Sequence, residues 1–307
     1  MPKELTHWLL ADTACAGLPQ ESRLRGIIEA HQPIYRGGAV LPDTLLHLFR
    51  GPHAAQALTL AHAFHDTSDN SFAPLIRVEE AFPDGLPPAL MACLLGVITH
   101  IETDIVFHPF VYALTASAGI GRHYQIETDI DCYFIHNGTL PAHRRLSTMM
   151  SADTQETLVN ACSLLFDPDG ILPHSALKHA FSSHCRFQAM YDNTFWKLAV
   201  RFLAAIIGAP FSEQRHLFYP LSYSSAGSCC GSSRQEWRHP TTGKLFCSSL
   251  DDLANEVIQR TLALFNLIEE KGSLAAALRI SPGENLLTGL HGVNRNTPSA
   301  AHQSAGN

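Results

Sequence analysis

The sequence predicts an all-α protein, a bundle of many helices with one long loop near residues 210–247. Apolar residues recur at the spacing of one helix face through most of the chain. Strand signals are weak, and strands do not alternate with helices as they do in proteins built on a parallel sheet. These observations favour helices packed on helices.

Breaker residues separate ten predicted helices. Gly37, Gly38 and Pro42 predict a loop after the second helix. The segment PDGLPP ends the fourth helix, and Pro109 bends or ends the fifth near His108. The predicted helices span residues 3–17, 22–31, 53–65, 74–83, 88–107, 121–136, 153–166, 174–190, 193–208 and 249–271.

The predicted organisation is a single helical domain over residues 1–291. Its first half, 1–136, carries the candidate metal site, and its second half, 137–291, is helical without a recognised motif. The loop over 210–247 is rich in Ser, Gly and Pro, and the polar tail 292–307 is predicted to be disordered. A chain of 307 residues is long enough to bury a substantial core.

Charge and hydropathy narrow the classes of function. The net charge is −7 and no basic run occurs, so stable nucleic-acid binding is not expected. No stretch reaches the roughly 18 apolar residues of a transmembrane helix. The N-terminus lacks the apolar core of a secretory signal, which predicts a cytoplasmic location. Nothing in the composition indicates the oligomeric state.

Metal-binding side chains follow two predicted helices at four-residue steps. His100, Asp104 and His108 occupy positions i, i+4 and i+8, and His123 and Glu127 repeat the step. Residues four apart share one helix face, and imidazole and carboxylate are ordinary zinc ligands. Asp104 lies in the most apolar predicted helix, where an uncompensated carboxylate would be costly. A metal cluster is therefore favoured over a buried polar network without metal.

Further candidates precede this ladder: His7 in THWLLA, Asp43 in GAVLPD, and His62 and His65 in AHAFHDTSDN. The order His, Asp, His, His-x3-Asp-x3-His, His-x3-Glu resembles the zinc-dependent phospholipase C and S1/P1 nuclease superfamily over roughly residues 1–136. The opening MPKE…THW looks like its bacterial phospholipase C-like branch. The resemblance implies a helical fold with two to three zinc ions that hydrolyses a small-molecule or lipid phosphoester with metal-activated water.

The resemblance also implies a role for each candidate. One zinc would be held by His100, Asp104, Asp43 and either His62 or His65, of which His65 is favoured for its place in HDTSDN. Asp43 and Asp104 are the candidate catalytic residues. Asp43 would orient or deprotonate the attacking water, and Asp104 would bridge to a second zinc.

The second zinc would be completed by His7 and by the chain terminus. Removal of Met1 would expose Pro2 five residues before His7, and its imino group and carbonyl would serve as ligands. The third zinc would be held by His108, His123 and Glu127. The family usually has two more residues between the bridging aspartate and the next histidine, so the step from Asp104 to His108 departs from its pattern.

Three alternatives stay open. A nuclease would stack bases on aromatic side chains near the metals, for which Phe107, Phe110 and Tyr112 are available. A non-catalytic helical protein would use the metal for structure alone. An HD-type phosphohydrolase would use the His65-Asp66 doublet with the residues His47 and Asp104, but it leaves the third ligand set unexplained. Asp129, Asp131 and His136 follow Glu127 on the same predicted helix; they are interpreted as ordinary polar positions, with the orientation of ligating imidazoles as the alternative. His184 is interpreted as structural.

Overall fold

The computed structural model describes residues 3–115, 118–137, 145–221 and 233–295. Over these residues the chain folds into a helical bundle with one small hairpin, which confirms the predicted all-α class. Its 3-10 helices span Leu41–His47, Leu146–Met149 and Arg215–Leu217. Its α-helices are α1 (Glu4–Gly17), α2 (Arg23–Ala30), α3 (Gln32–Gly38), α4 (Ala54–His65), α5 (Ala73–Glu80), α6 (Pro88–Thr115), α7 (Ile120–His136), α8 (Ala152–Phe166), α9 (His174–Tyr191), α10 (Thr194–Ile207), α11 (Phe211–Gln214), α12 (Leu250–Lys271) and α13 (Leu274–Ile280).

Helix α6 is the central element of the bundle. It packs against α1, α3, α7 and α12, and almost all of its residues are buried. By length and composition alone it could cross a membrane, yet its apolar stretch lies entirely inside the protein, as in the core helix of a folded bundle. Its lack of a polar face is therefore explained by neighbouring helices on every side.

The loop predicted at Gly37 and Gly38 is wrong, because these residues form the last turn of α3. A Cβ on Gly38 would overlap the Cys93 carbonyl, and a Cβ on Gly96 would overlap the Tyr35 carbonyl. These two glycines therefore allow the backbones of α3 and α6 to meet closely. The contact brings the residues that follow α3 next to the middle of α6.

Pro109 was predicted to bend or end this helix near His108, and an end there is wrong, because α6 continues to Thr115. Proline removes the hydrogen bond that would reach the carbonyl of Ile105 one turn earlier. Gly289 lies against this interruption, and a Cβ there would be 2.7 Å from the Ile105 oxygen and 3.1 Å from Pro109 Cγ. The segment around Gly289 thus packs against α6 at the point where the helix contains Pro109.

The long loop predicted near 210–247 contains local structure. It holds α11, the 3-10 helix Arg215–Leu217 and an antiparallel hairpin of β1 (Gln235–Arg238) and β2 (Leu245–Ser248). In the hairpin Gln235 pairs with Ser248, and Trp237 pairs with Phe246. Residues 222–232 of this loop and residues 296–307 of the predicted tail lie outside the described residues. Helix α13 follows α12 and was not predicted.

Candidate metal centre

Three candidate ligands follow one face of α6, as the four-residue spacing predicts. His100 and Asp104 have no exposed surface, and His108 is 2% exposed. His100 Nε2 lies 3.2 Å from Asp104 Oδ2, and His108 Nδ1 lies 3.8 Å from the same oxygen. The buried carboxylate thus lies between two imidazoles one turn away on either side.

Three other elements bring candidate ligands to this face. His7 from α1 stacks on His100 with ring centroids 4.3 Å apart, and its Nε2 lies 3.6 Å from Asp104 Oδ1. Asp43, from the first 3-10 helix, lies with its Oδ1 3.4 Å from Nε2 of His65, at the end of α4. The ligand atoms of His7, Asp43 and His100 lie within 4.8 Å of one another, as do those of His65, His100 and Asp104.

Backbone carbonyls fix the orientation of two of these imidazoles. His65 Nδ1 lies 2.8 Å from the Ala61 oxygen, and His100 Nδ1 lies 2.9 Å from the Ala39 oxygen. A carbonyl oxygen accepts but cannot donate, so each Nδ1 carries the hydrogen and each Nε2 presents a lone pair to the cluster. Ala39 caps α3, so the close contact of α3 with α6 places this acceptor. Such a second hydrogen bond is typical of metal-binding histidines.

The cluster contains buried polar atoms without a hydrogen-bond partner. Burial of such atoms costs free energy unless another group compensates it. The donor set of imidazole nitrogens and carboxylate oxygens suits Zn²⁺, so the residues present fit the metal. The unpartnered atoms are Nδ1 and Nε2 of His7, Oδ1 of Asp43, Nε2 of His65, Nε2 of His100 and both carboxylate oxygens of Asp104.

The pKa values in the cluster reflect opposing effects of burial and charge. Burial holds the pKa of His7 well below its usual range, which keeps this imidazole neutral. Burial also lowers the pKa of His100, but the nearby Asp104 and Asp43 carboxylates outweigh it and raise that pKa. Burial raises the pKa of Asp43, yet His100 and His65 outweigh it and the net pKa is lowered. Asp43 is therefore ionised at neutral pH.

The third predicted set, His108, His123 and Glu127, is also buried. His123 Nε2 lies 2.6 Å from Glu127 Oε1 on α7, while the ring centroids of His108 and His123 are 6.5 Å apart. The half-buried Tyr112 lies next to both imidazoles, 5.5 Å from His108 and 5.0 Å from His123 by ring centroids. Unlike the ligand atoms around Asp104, those of His108, His123 and Glu127 do not all lie within 4.8 Å of one another.

Two predicted ligands lie elsewhere. His62 is exposed on α4, whereas His65, one turn later, is buried and faces Asp43. The inclusion of His62 is therefore not supported, since its side chain points to solvent. Pro2 lies outside the described residues, so its proposed role stays a prediction.

Sequence reasoning missed a segment near the C-terminal end that supports the site. His108 Nδ1 donates to the Leu286 carbonyl at 2.7 Å, which leaves Nε2 with a lone pair. Asn285 donates to the Asp66 carboxylate at 3.2 Å, and the Arg295 backbone N–H donates to the same carboxylate at 3.0 Å. A backbone acceptor carries no side-chain signature, so no sequence signal could have identified Leu286.

Asp131 is a positioning residue and not an ordinary polar position. Its carboxylate accepts from the backbone N–H groups of Leu5 at 3.3 Å and Thr6 at 3.0 Å, at the start of α1. Tyr219 donates to it at 2.6 Å. The bonds fix the first turn of α1, which carries His7. The place of Asp131 after Glu127 on α7 is the signal behind the alternative prediction that it orients other groups of the site.

The fold and this site define an all-helical protein with a buried histidine and carboxylate centre suited to zinc. A family profile described as zinc dependent phospholipase C matches residues 6–168, more than half of the chain. The protein belongs to this family, as the order of ligands in its sequence predicts. A comparison with curated proteins found no match, and a comparison with solved structures found none either.

Proposed function

We propose that this protein is a zinc-dependent phosphoester hydrolase of phospholipase C type, acting on a lipid phosphodiester. The observation that carries the proposal is the set of buried, unpartnered ligand atoms around Asp104. All the residues of this set lie within the stretch that matches the zinc-dependent phospholipase C family. Family membership supports the class of reaction, and the donor set supports zinc.

The residues that would hold zinc are His7, Asp43, His65, His100 and Asp104. Bound zinc lowers the pKa of a water molecule and stabilises negative charge on phosphoryl oxygens. Asp43 supplies an ionised carboxylate whose Oδ1 has no protein hydrogen-bond partner, so it orients the attacking water or accepts its proton. The water oxygen forms a bond to phosphorus as the bond between phosphorus and the leaving oxygen breaks. The leaving oxygen then takes up a proton.

The three aromatic residues that the sequence offers for base stacking argue against a nuclease. Phe107 and Phe110 are fully buried in the core, so neither presents a ring to a substrate. Tyr112 lies at the site, but its ring stacks on His108 and the Arg295 guanidinium lies 4.6 Å from its centroid. A nuclease that stacks bases would present accessible aromatic faces.

The geometry also argues against an HD-type site. In that interpretation the Asp66 carboxylate would be a metal ligand beside His65. Instead, Asp66 accepts hydrogen bonds from Asn285 and from the backbone of Arg295. His47 donates from Nδ1 to the Asp43 carbonyl and lies in a separate cluster. The doublet therefore does not converge with His47 and Asp104 on one point.

The first prediction concerns Asp104→Asn. Loss of the charge between His7 and His100 should remove at least one zinc per chain and lower phosphodiesterase activity by at least about 100-fold, because the bound ion stabilises developing charge. Zinc is measured by plasma mass spectrometry on untagged protein. Activity is measured as diacylglycerol released from phosphatidylcholine vesicles and as hydrolysis of bis-p-nitrophenyl phosphate.

The matched control is His174→Ala, which removes an exposed histidine that pairs with the exposed Glu156 and touches no candidate ligand in this pair. This variant should keep the metal content and activity of the wild type. Cleavage of oligonucleotides, without cleavage of phosphatidylcholine, would contradict the proposed lipid substrate and favour a nuclease. Normal turnover by Asp104→Asn would contradict the role of Asp104.

A further inference from the structure

We infer that Glu4, His47 and His184 form a second, separate zinc site. Their ligand atoms lie within 4.8 Å of one another. Glu4 is in the first turn of α1, His47 ends the first 3-10 helix, and His184 is in α9. Glu4 and His184 are buried and His47 is half-buried. Two imidazoles and one carboxylate are a donor set found in zinc sites that keep one coordination position open.

The imidazoles are held with their ligand nitrogens directed inward. His47 Nδ1 lies 3.0 Å from the Asp43 carbonyl oxygen, so Nδ1 carries the hydrogen and Nε2 presents a lone pair. His184 Nδ1 lies 3.1 Å from the Thr44 hydroxyl. When that hydroxyl accepts, Nδ1 carries the hydrogen and Nε2 keeps a lone pair for a metal ion. The two rings stack with centroids 4.1 Å apart and 11° between their planes.

In this cluster too, buried polar atoms without a hydrogen-bond partner indicate that a cation binds. His184 Nε2 and Glu4 Oε2 are buried without a hydrogen-bond partner. His184 Nε2 lies 3.5 Å from Glu4 Oε1, which is long for a charged hydrogen bond. A cation between them would compensate both buried groups. In an ordinary buried ion pair, a protonated imidazole would donate to the carboxylate at about 2.7–2.9 Å.

This cluster is distinct from the centre around Asp104. The same two elements serve both: α1 carries Glu4 and His7, and the 3-10 helix carries His47 and Asp43. Only the second cluster uses α9, through His184. Glu4 and His184 also lie outside the stretch that matches the zinc-dependent phospholipase C family. The proposed ion would therefore link α9 to the two elements that present His7 and Asp43.

The experiment measures zinc stoichiometry in the full-length protein after chelator treatment, dialysis against zinc and removal of free metal. Glu4→Gln and His184→Gln should each bind one zinc fewer than the wild type. Asp104→Asn should still bind the zinc of the second site, and adding His184→Gln to it should remove that zinc. His179→Gln, an exposed position on the same helix, is the matched control and should keep the wild-type stoichiometry.

Circular dichroism of each variant distinguishes loss of metal from loss of fold. His47→Gln is a third variant, and it disturbs the core less than the other two because His47 is only half-buried. An anomalous difference map at the zinc edge places the ion directly. A peak between Glu4, His47 and His184 supports the site. Unchanged stoichiometry in folded Glu4→Gln and His184→Gln overturns it, as does a zinc-loaded crystal without that peak. A fully loaded but inactive enzyme would count against the proposed hydrolase and leave this site intact.

Discussion

At the residue scale, the metal centre depends on the hydrogen bonds that orient its imidazole side chains. The sequence indicated His100 and Asp104 through their four-residue spacing, and it indicated His65 through the resemblance of HDTSDN to the family's motif. It could not identify the acceptors that orient the imidazoles, since the carbonyls of Ala39 and Leu286 are common to every residue. Orientation therefore depends on tertiary packing that the local pattern does not encode.

The second prediction concerns Asp131, whose burial raises its pKa from 3.8 to about 6 despite hydrogen bonds from Thr6 and Tyr219. A carboxyl with a raised folded-state pKa contributes its full stability at pH below the unfolded value. That contribution is lost as pH rises from about 4 to about 6, by about 3 kcal/mol in total. Asp131→Asn should abolish this part of the pH dependence.

The measurement compares free energies of urea unfolding at pH 4 and pH 7 for metal-free wild type and Asp131→Asn. The wild type should lose more stability across this range than the variant does. Asp153→Asn, at an exposed position in α8, serves as control and should behave as the wild type. Equal losses in all three proteins would show that Asp131 does not titrate in this range.

At the element scale, the predictions based on glycine and proline were wrong where tertiary contacts override local backbone preference. Gly38 normally favours a break, but here it lets α3 approach Cys93 of α6. Pro109 normally ends a helix, yet α6 continues past it beside Gly289. Helix positions with strong apolar periodicity were predictable, whereas these exceptions depend on partners distant in sequence.

The third prediction tests that contact with Gly289→Ala. Gly289 has φ of +63°, so a Cβ costs about 1 kcal/mol from backbone strain alone. Its Cβ would also lie 2.7 Å from the Ile105 oxygen, which should add about 1–3 kcal/mol of destabilisation. Displacement of the neighbouring Leu286 carbonyl from His108 should weaken zinc binding about 10–100-fold. Urea unfolding and zinc competition with a chromophoric chelator measure both effects.

Gly292→Ala provides the matched control. Gly292 has a similar φ of +69°, but a Cβ there meets no atom within 4 Å. It should therefore show only the cost of backbone strain and keep the wild-type affinity for zinc. If the two variants lose equal stability and affinity, the close approach of Gly289 to α6 has no energetic role.

At the scale of the whole molecule, the centre around Asp104 joins elements that are far apart in the chain. His7, Asp43, His65 and His100 come from α1, a 3-10 helix, α4 and α6. The sequence predicted the class of fold from its apolar pattern, and it predicted His7, Asp43 and His65 as ligands through its resemblance to the zinc-dependent phospholipase C family. It did not predict that residues near 285–295 complete the surroundings, since no motif marks them.

The fourth prediction follows from this joining of elements. A ligand that binds the folded state alone stabilises it, by about 4 kcal/mol at a concentration 1,000 times its dissociation constant. Chelation of zinc should therefore lower the melting temperature by on the order of 10 °C. Scanning calorimetry with and without chelator measures the shift, and Asp104→Asn should respond less. A wild-type melting temperature insensitive to chelator would contradict a loaded centre.

The support of His108 by Leu286 also has a consequence for biosynthesis. Ribosomes make the ligands from His7 to Glu127 early, but the carbonyl that orients His108 is added 178 residues after that histidine. Gly289, which packs against Ile105 and Pro109, is added later still. A nascent chain arrested before Leu286 should hold zinc weakly on the side of His108. Full loading of the centre is thus expected only once synthesis has passed Gly289, so a nascent chain that ends before Leu286 would not carry the mature centre.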